Sequence, residues 1–189
     1  MTDTPARLIA SASQTVGPFF HFGPGDHPQL GSLITAGTRG ERLDLQVQVF
    51  DGDGAPVPDA FVEIWQADAE GRYVLPAPGA PRTDAFGGFG RLPTTADGSC
   101  TFQTIRPGRC GDDEAAHINL CVFMRGLLRH IYTRLYFAGD PHLDRDPVLA
   151  LVPADRRATL LAHPQPAGST TWTFAIHLQG DRETVFFDL

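Results

Sequence analysis

Residues 43–50 read LDLQVQVF, with Leu43, Leu45, Val47 and Val49 at every second position and polar residues between them. Successive side chains on a strand point to opposite faces, so this stretch is predicted as a half-buried strand with one apolar face. The same period returns in AHINLCVFM (116–124) and in TWTFAIHLQ (171–179), where Trp172, Phe174, Ile176 and Leu178 fall together. HIYTRLYF (130–137) is aromatic and β-branched, again a strand. Residues 60–67 are apolar on both faces, through Ala60, Val62 and Ile64 on one and Phe61 and Trp65 on the other, which suits a central strand. An Asp97-Gly98 turn precedes a strand in which Cys100 and Phe102 alternate with Thr101 and Gln103. Loops are expected over 74–88 and 107–115, and a short helix over 154–162 after Pro153. Many short strands separated by Gly- and Pro-rich turns predict an all-β fold, a two-sheet β-sandwich with long loops and at most short helices.

Residues 1–10 are expected to be flexible, and 11–189 to form one domain opened by a Gly/Pro-rich arm (11–40). That arm carries Phe19, Phe20 and Phe22, too aromatic for a solvated tail, so it must pack on this domain or on another chain. A chain of 189 residues buries about 70% of its unfolded surface, enough for a core without staples. The formal net charge of −7 argues against a nucleic-acid or anionic-membrane surface, though a local Arg still suits a small anionic ligand. Cysteines fall at 100, 110 and 121, an odd number with no C-x-x-C, which argues against a disulfide framework. Cys100 and Cys121 read as buried thiols. No stretch has transmembrane length, and the apolar run near the N-terminus is too short for a secretory signal. A reducing, cytoplasmic location is the expectation.

Several chemistries have no motif. There is no G-x-S-x-G, no phosphate-cradling loop and no dinucleotide fingerprint, and Asp51-Gly52-Asp53-Gly54 lacks the further oxygen ligands of a calcium loop. The more informative positions are His117 and Asn119, which share one face of a predicted strand. A His-x-His pair there would hold a metal ion with two imidazoles, but here the second position is an amide, a poor ligand for a transition metal. Tyr73, after Gly71-Arg72, is either a phenolate for ferric iron or a packed loop Tyr. Cys110, beside Gly111, is more simply inert than a ligand. Arg125 shares a face with His117, Asn119, Cys121 and Phe123 if the strand stays extended that far. Its guanidinium then either binds a carboxylate in bidentate fashion or makes an internal salt bridge. Arg129 and Arg134 would deepen a local positive potential.

Taken jointly, SQTVGPFFHFG (13–23), VEIWQADAEGRY (62–73), FGGFGR (86–91), TIRPG (104–108), AHINLCVFMRG (116–126), HIYTRLYF (130–137) and GDRETVFFDL (180–189) resemble the intradiol ring-cleaving dioxygenases. The His-Ile-Asn strand followed by Arg-Gly resembles the non-metal (alpha) type of subunit rather than the catalytic type. Members of that family cleave a catechol between its hydroxyls with ferric iron and dioxygen, holding the iron with two Tyr and two His and using an assisting Arg. Tyr73 matches the first Tyr and His117 the first His, whereas Cys110 falls at the second Tyr, Asn119 at the second His and Glu114 near the Arg. The resemblance therefore implies a vestigial site at Tyr73, Cys110, His117 and Asn119, with no metal and no catalytic residue in this chain alone. It implies that Fe(III) is bound by a homologous beta subunit, in αβ units that repeat into a higher oligomer. The implied substrates are O2 and a small aromatic acid, 3,4-dihydroxybenzoate. Thr15, Pro18 and Arg125 would border the partner's active site, and Phe19 and Phe20 would be buried at the contact. Two alternatives remain: a self-sufficient dioxygenase using Tyr73, Cys110 and His117, and a β-sandwich module that binds a small aromatic acid without chemistry.

Overall fold

In the computed structural model, which describes residues 9–23, 25, 27–74 and 86–188, the first alternating stretch is strand β1 (Arg42–Phe50). Leu43, Leu45, Val47 and Val49 all point into the core. Seven further strands follow among the described residues: β2 (Phe61–Gln66), β3 (Phe89–Pro93), β4 (Ser99–Ile105), β5 (His117–Phe123), β6 (Ile131–Phe137), β7 (Leu161–Pro164) and β8 (Thr171–His177). Helical structure among these residues is limited to one α-helical turn, α1 (Pro147–Ala150), and short 3-10 turns. The all-β expectation holds. The flexibility expected of the N-terminus and the irregular loop expected after residue 74 fall mainly on 1–8 and 75–85, outside the described residues.

The strands hydrogen-bond in the order β3-β2-β5-β6-β7-β8-β1-β4, with β7 linking the β3-β2-β5-β6 half to the β8-β1-β4 half. The join is β7, which pairs parallel with β6 (Tyr136 with Leu161, Phe137 with Ala162) and antiparallel with β8 (His163 with Thr173, Pro164 with Trp172). The two ends of the ladder, β3 and β4, also lie against each other, which gives a barrel-like wrap. Inside it Val47, Phe102, Ile64, Ile118, Leu135 and Phe174, from six different strands, belong to one buried cluster. Each such side chain contributes roughly 1.5–3 kcal/mol by leaving water.

The helix expected over 154–162 is not formed. Residues Arg157–Leu160 make a 3-10 turn and the chain then extends as β7. Pairing overrides local preference here, because the Ala162 carbonyl accepts the Ala138 N–H (2.9 Å) and Leu160 and Ala162 are buried.

Two loops leave the same end of the barrel, one after β2 and one after β4, and a buried amide ties their roots together. Gln66 donates through Nε2 to the Ile105 carbonyl (2.9 Å) and accepts from Thr104 Oγ1 (2.6 Å). Just beyond, Gly108 donates its N–H to the Asp68 carbonyl (2.8 Å). The loops touch because glycines face each other's backbone. Gly71 has φ +79°, and a Cβ there would lie 1.9 Å from the Arg109 carbonyl oxygen. A Cβ on Gly108 would lie 2.4 Å from the Ala69 carbonyl oxygen.

A third anchor is Asp146, fully buried ahead of α1. Its Oδ1 caps the helix by accepting from Val148 N (3.0 Å) and Leu149 N (2.8 Å), and also accepts from Tyr136 Oη (2.8 Å). Its Oδ2 accepts from Ala115 N (3.0 Å), two residues before β5 begins.

The aromatic arm divides its side chains. Phe20 packs on this domain, with ring centroids 5.2 Å from Phe61 and 5.8 Å from Phe123. Phe19 and Phe22 lie 5.8 Å apart and are 77% and 69% exposed.

Candidate functional site

The loops after β2 and β4 bring Tyr73 and Cys110 to the start of β5, where His117 and Asn119 stand. The sequence-predicted cluster is therefore assembled. His117 is buried, and its Nδ1 lies 2.9 Å from the Ala115 carbonyl. A carbonyl only accepts, so Nδ1 carries the proton and Nε2 presents its lone pair. That Nε2 is 3.5 Å from Tyr73 Oη. Asn119 donates through Nδ2 to Tyr73 Oη (2.8 Å), and its Oδ1 accepts from Arg134 Nε (3.0 Å). Arg134 stands directly opposite Asn119 in the β5–β6 register. The guanidinium that the loop residue Glu114 does not supply is thus present nearby, on β6. Sequence reasoning treated Arg134 only as background potential; the signal that places it in the site is the strand register, which one sequence does not carry.

The electrostatics favour neutral side chains. Burial, with Cys110 close by, raises the Tyr73 phenol above its usual range. Burial, reinforced by Arg134, lowers the His117 imidazole, which is consequently neutral at pH 7. Burial and the Glu114 carboxylate raise the Cys110 thiol.

Ferric iron does not fit this donor set. It is a hard cation, for which the resemblance implies two phenolates and two imidazoles. Here only one phenol is present, Tyr73, and Cys110 offers a soft thiol where the resemblance implies the second. The second imidazole is replaced by an amide that turns N–H toward Tyr73 and gives its oxygen to Arg134.

The second set of predicted residues lies at the other end of β5. The strand stops at Phe123, so the condition under which Arg125 would share the face of His117 and Asn119 is not met. A turn intervenes, marked by Gly126 at φ +95°. Arg125 pairs through Nε with the Asp59 carboxylate, and its side chain is 56% exposed. The internal salt bridge is therefore made, with a partner that composition alone could not single out. Thr15 reaches the same turn: its Oγ1 accepts the Gly126 N–H (2.7 Å). Pro18 opens the 3-10 turn Pro18–His21, whose Phe20 packs on Phe123 at the end of β5. Thr15, Pro18 and Arg125 thus gather at one end of the strand and Tyr73, Cys110, His117 and Asn119 at the other.

Between them runs a groove of about 610 Å³ on the outer face of β2, β3, β5 and β6. Tyr73, Asn119 and Arg134 line one part of it, and Trp65, Phe89 and Phe123 supply apolar wall. Trp65 is 44% exposed. Among the described residues no helix is long and apolar enough to cross a membrane.

Residues 16–180 match the family model described as Dioxygenase. The chain is 44% identical over 195 residues to a protocatechuate 3,4-dioxygenase alpha chain from Burkholderia cepacia, covering 96% of this chain and 98% of that one. It is 36% identical over 149 residues to a protocatechuate 3,4-dioxygenase beta chain from the same organism, covering 74% of this chain and 63% of that one. Among solved structures, the dioxygenase domain of a dioxygenase–carbohydrate-binding fusion from Streptomyces sp. SirexAA-E superposes with a TM-score of 0.64 at 26% identity, covering 94% of this chain and 96% of that one.

Proposed function

The chain belongs to the intradiol ring-cleavage dioxygenase family, and from that premise we propose that it is the iron-free alpha subunit of a protocatechuate 3,4-dioxygenase. It pairs with a homologous beta subunit, and αβ units repeat into a larger assembly. Ferric iron on the beta subunit supplies the chemistry by which O2 cleaves 3,4-dihydroxybenzoate between its hydroxyls to 3-carboxy-cis,cis-muconate, a step of aromatic catabolism. The residues of this chain bind and orient. Arg125 gives a charge-assisted hydrogen bond to the substrate carboxylate, with Asp59 holding its guanidinium in place. Thr15 fixes the turn that carries Arg125, and Pro18 sets the course of the arm beside it. Phe19 and Phe22, exposed in this chain, pack on the partner, each contributing roughly 1.5–3 kcal/mol if fully buried. In the same reading the two halves of the ladder act as the facing layers of a sandwich, the arm and residues 11–189 form one domain, and the protein works in the reducing cytoplasm.

The observation that carries this reading is the separation of the two clusters. Thr15 and Arg125 lie beyond the far end of seven-residue β5 from His117, roughly 20 Å away at about 3.3 Å per residue. That separation supports a substrate held by Arg125 with its reacting ring seated in a neighbouring subunit rather than against Tyr73 and His117.

Two measurements test the proposal. The full chain purified without its partner is expected to be colourless after exposure to ferric iron. A tyrosinate-to-iron absorption band from it alone would reverse the assignment of the metal to the partner. In the assembled enzyme, Arg125→Ala is expected to raise KM for 3,4-dihydroxybenzoate about tenfold or more, the effect of losing a charge-assisted bond. An unchanged KM removes Arg125 from the substrate site.

A further inference from the structure

The residues that fail to suit ferric iron suit a different ion. Cys110 Sγ, a Glu114 carboxylate oxygen and a His117 ring nitrogen all lie within 4.8 Å of one another. We propose that Cys110, Glu114 and His117 form a binding site for a thiophilic divalent cation, zinc above all.

The chemistry of the donors points to that class. Sulfur, imidazole nitrogen and carboxylate oxygen are the three donor types of protein zinc sites, and three protein ligands with an open fourth position is a familiar arrangement. Bond lengths of about 2.0–2.3 Å to these donors set neighbouring ligand atoms about 3.3–3.8 Å apart, so contraction by a fraction of an ångström per donor completes the site. That movement is available. Cys110 is exposed, and Glu114 is only partly buried at the end of the same short loop.

The remaining donor is already aimed. The hydrogen bond from His117 Nδ1–H to the Ala115 carbonyl fixes the tautomer that leaves Nε2 free to coordinate, as outer hydrogen bonds do for histidines in metal sites. Asp146, accepting from Ala115 N (3.0 Å), holds that carbonyl-bearing residue in turn. All three donors fall within eight consecutive residues, Cys110-x3-Glu114-x2-His117, so closing the site costs little chain entropy. Binding displaces the Cys110 thiol proton to solvent, the resulting thiolate and the Glu114 carboxylate neutralise the dication, and Arg134 is tied to Asn119 Oδ1. Tyr73 Oη, 3.5 Å from His117 Nε2, borders the fourth position, which water or the phenol fills.

Zinc counted by elemental mass spectrometry in the full chain, after loading and dialysis, tests this. The wild type is expected to retain about one zinc per chain, and Cys110→Ser and Glu114→Gln at least about tenfold less at the same free zinc. Loading with cobalt(II) instead is expected to give a thiolate-to-cobalt charge-transfer band in the near ultraviolet, which Cys110→Ser abolishes. Because the variants lie on a loop and Glu114→Gln is isosteric, far-UV circular dichroism separates loss of metal from loss of fold. A wild-type chain that retains neither zinc nor cobalt overturns the proposal, as does undiminished retention by a folded Cys110→Ser chain. Iron is counted in the same samples. Its presence would sink the metal assignment of the preceding section and leave the zinc result standing.

Discussion

Asp146→Ala is expected to cost about 4 kcal/mol of folding stability, read from urea denaturation. One buried carboxylate accepts from four donors: Ala115 N, Tyr136 Oη, Val148 N and Leu149 N. Truncation removes every acceptor at once. It leaves the N–H groups of Ala115 and Leu149 and the Tyr136 hydroxyl inside the protein without them, each worth about 1 kcal/mol or more when unpaired. Burial raises the Tyr136 phenol far above its usual range, so it stays an O–H donor at all ordinary pH and adds to the penalty. Asp146→Asn keeps one accepting oxygen and is expected to lose about half as much. A loss below about 1 kcal/mol for the alanine variant would mean that water replaces the carboxylate.

Gly71→Ala is expected to lose about 3 kcal/mol or more, against about 1 kcal/mol for Gly54→Ala. Both glycines have φ +79°, so both substitutions strain the backbone alike. They differ in what the new methyl meets. At position 54 nothing lies within 4 Å, whereas at position 71 the Arg109 carbonyl oxygen is 1.9 Å away. The difference between the variants therefore isolates the overlap. Since Arg109 precedes Cys110, the loop carrying the thiol must retreat, and Cys110 in Gly71→Ala is expected to react faster with a thiol reagent. Equal stabilities for the two variants would show that the loops do not depend on that close approach.

How much of this was legible in the sequence follows from where each signal resides. Period-two alternation lies within a strand, so β1, β5 and β8 were readable from Leu43–Val49, from 116–124 and from 171–179. β7 was not. Four residues, Leu-Ala-His-Pro, are too few to establish a period, and Pro164 argues against a strand. Its extended form is imposed by β6 and β8, and with it went the link between the two halves of the strand order. Strand spacing paired His117 with Asn119, but grouping them with Tyr73 and Cys110 came from the family resemblance. Glu114 as a possible ligand and Arg134 as the partner of Asn119 depend on a loop conformation and on a cross-strand register. Arg125 posed a choice between ligand and salt bridge. The salt bridge to Asp59 exists, and at 56% exposure the same side chain can still meet a carboxylate.

One flank of β1 is taken by β8, in parallel, with Asp44 beside Thr171 and Phe50 beside His177. During synthesis β1, which ends at Phe50, must wait for all of the chain up to β8, which begins at Thr171, before that flank is covered. Pairings so remote in sequence close slowly. Until then Leu45 and Val47 are open to chaperones or to wrong partners. Truncations that remove β8 should accordingly be recovered as aggregates rather than as a smaller folded unit.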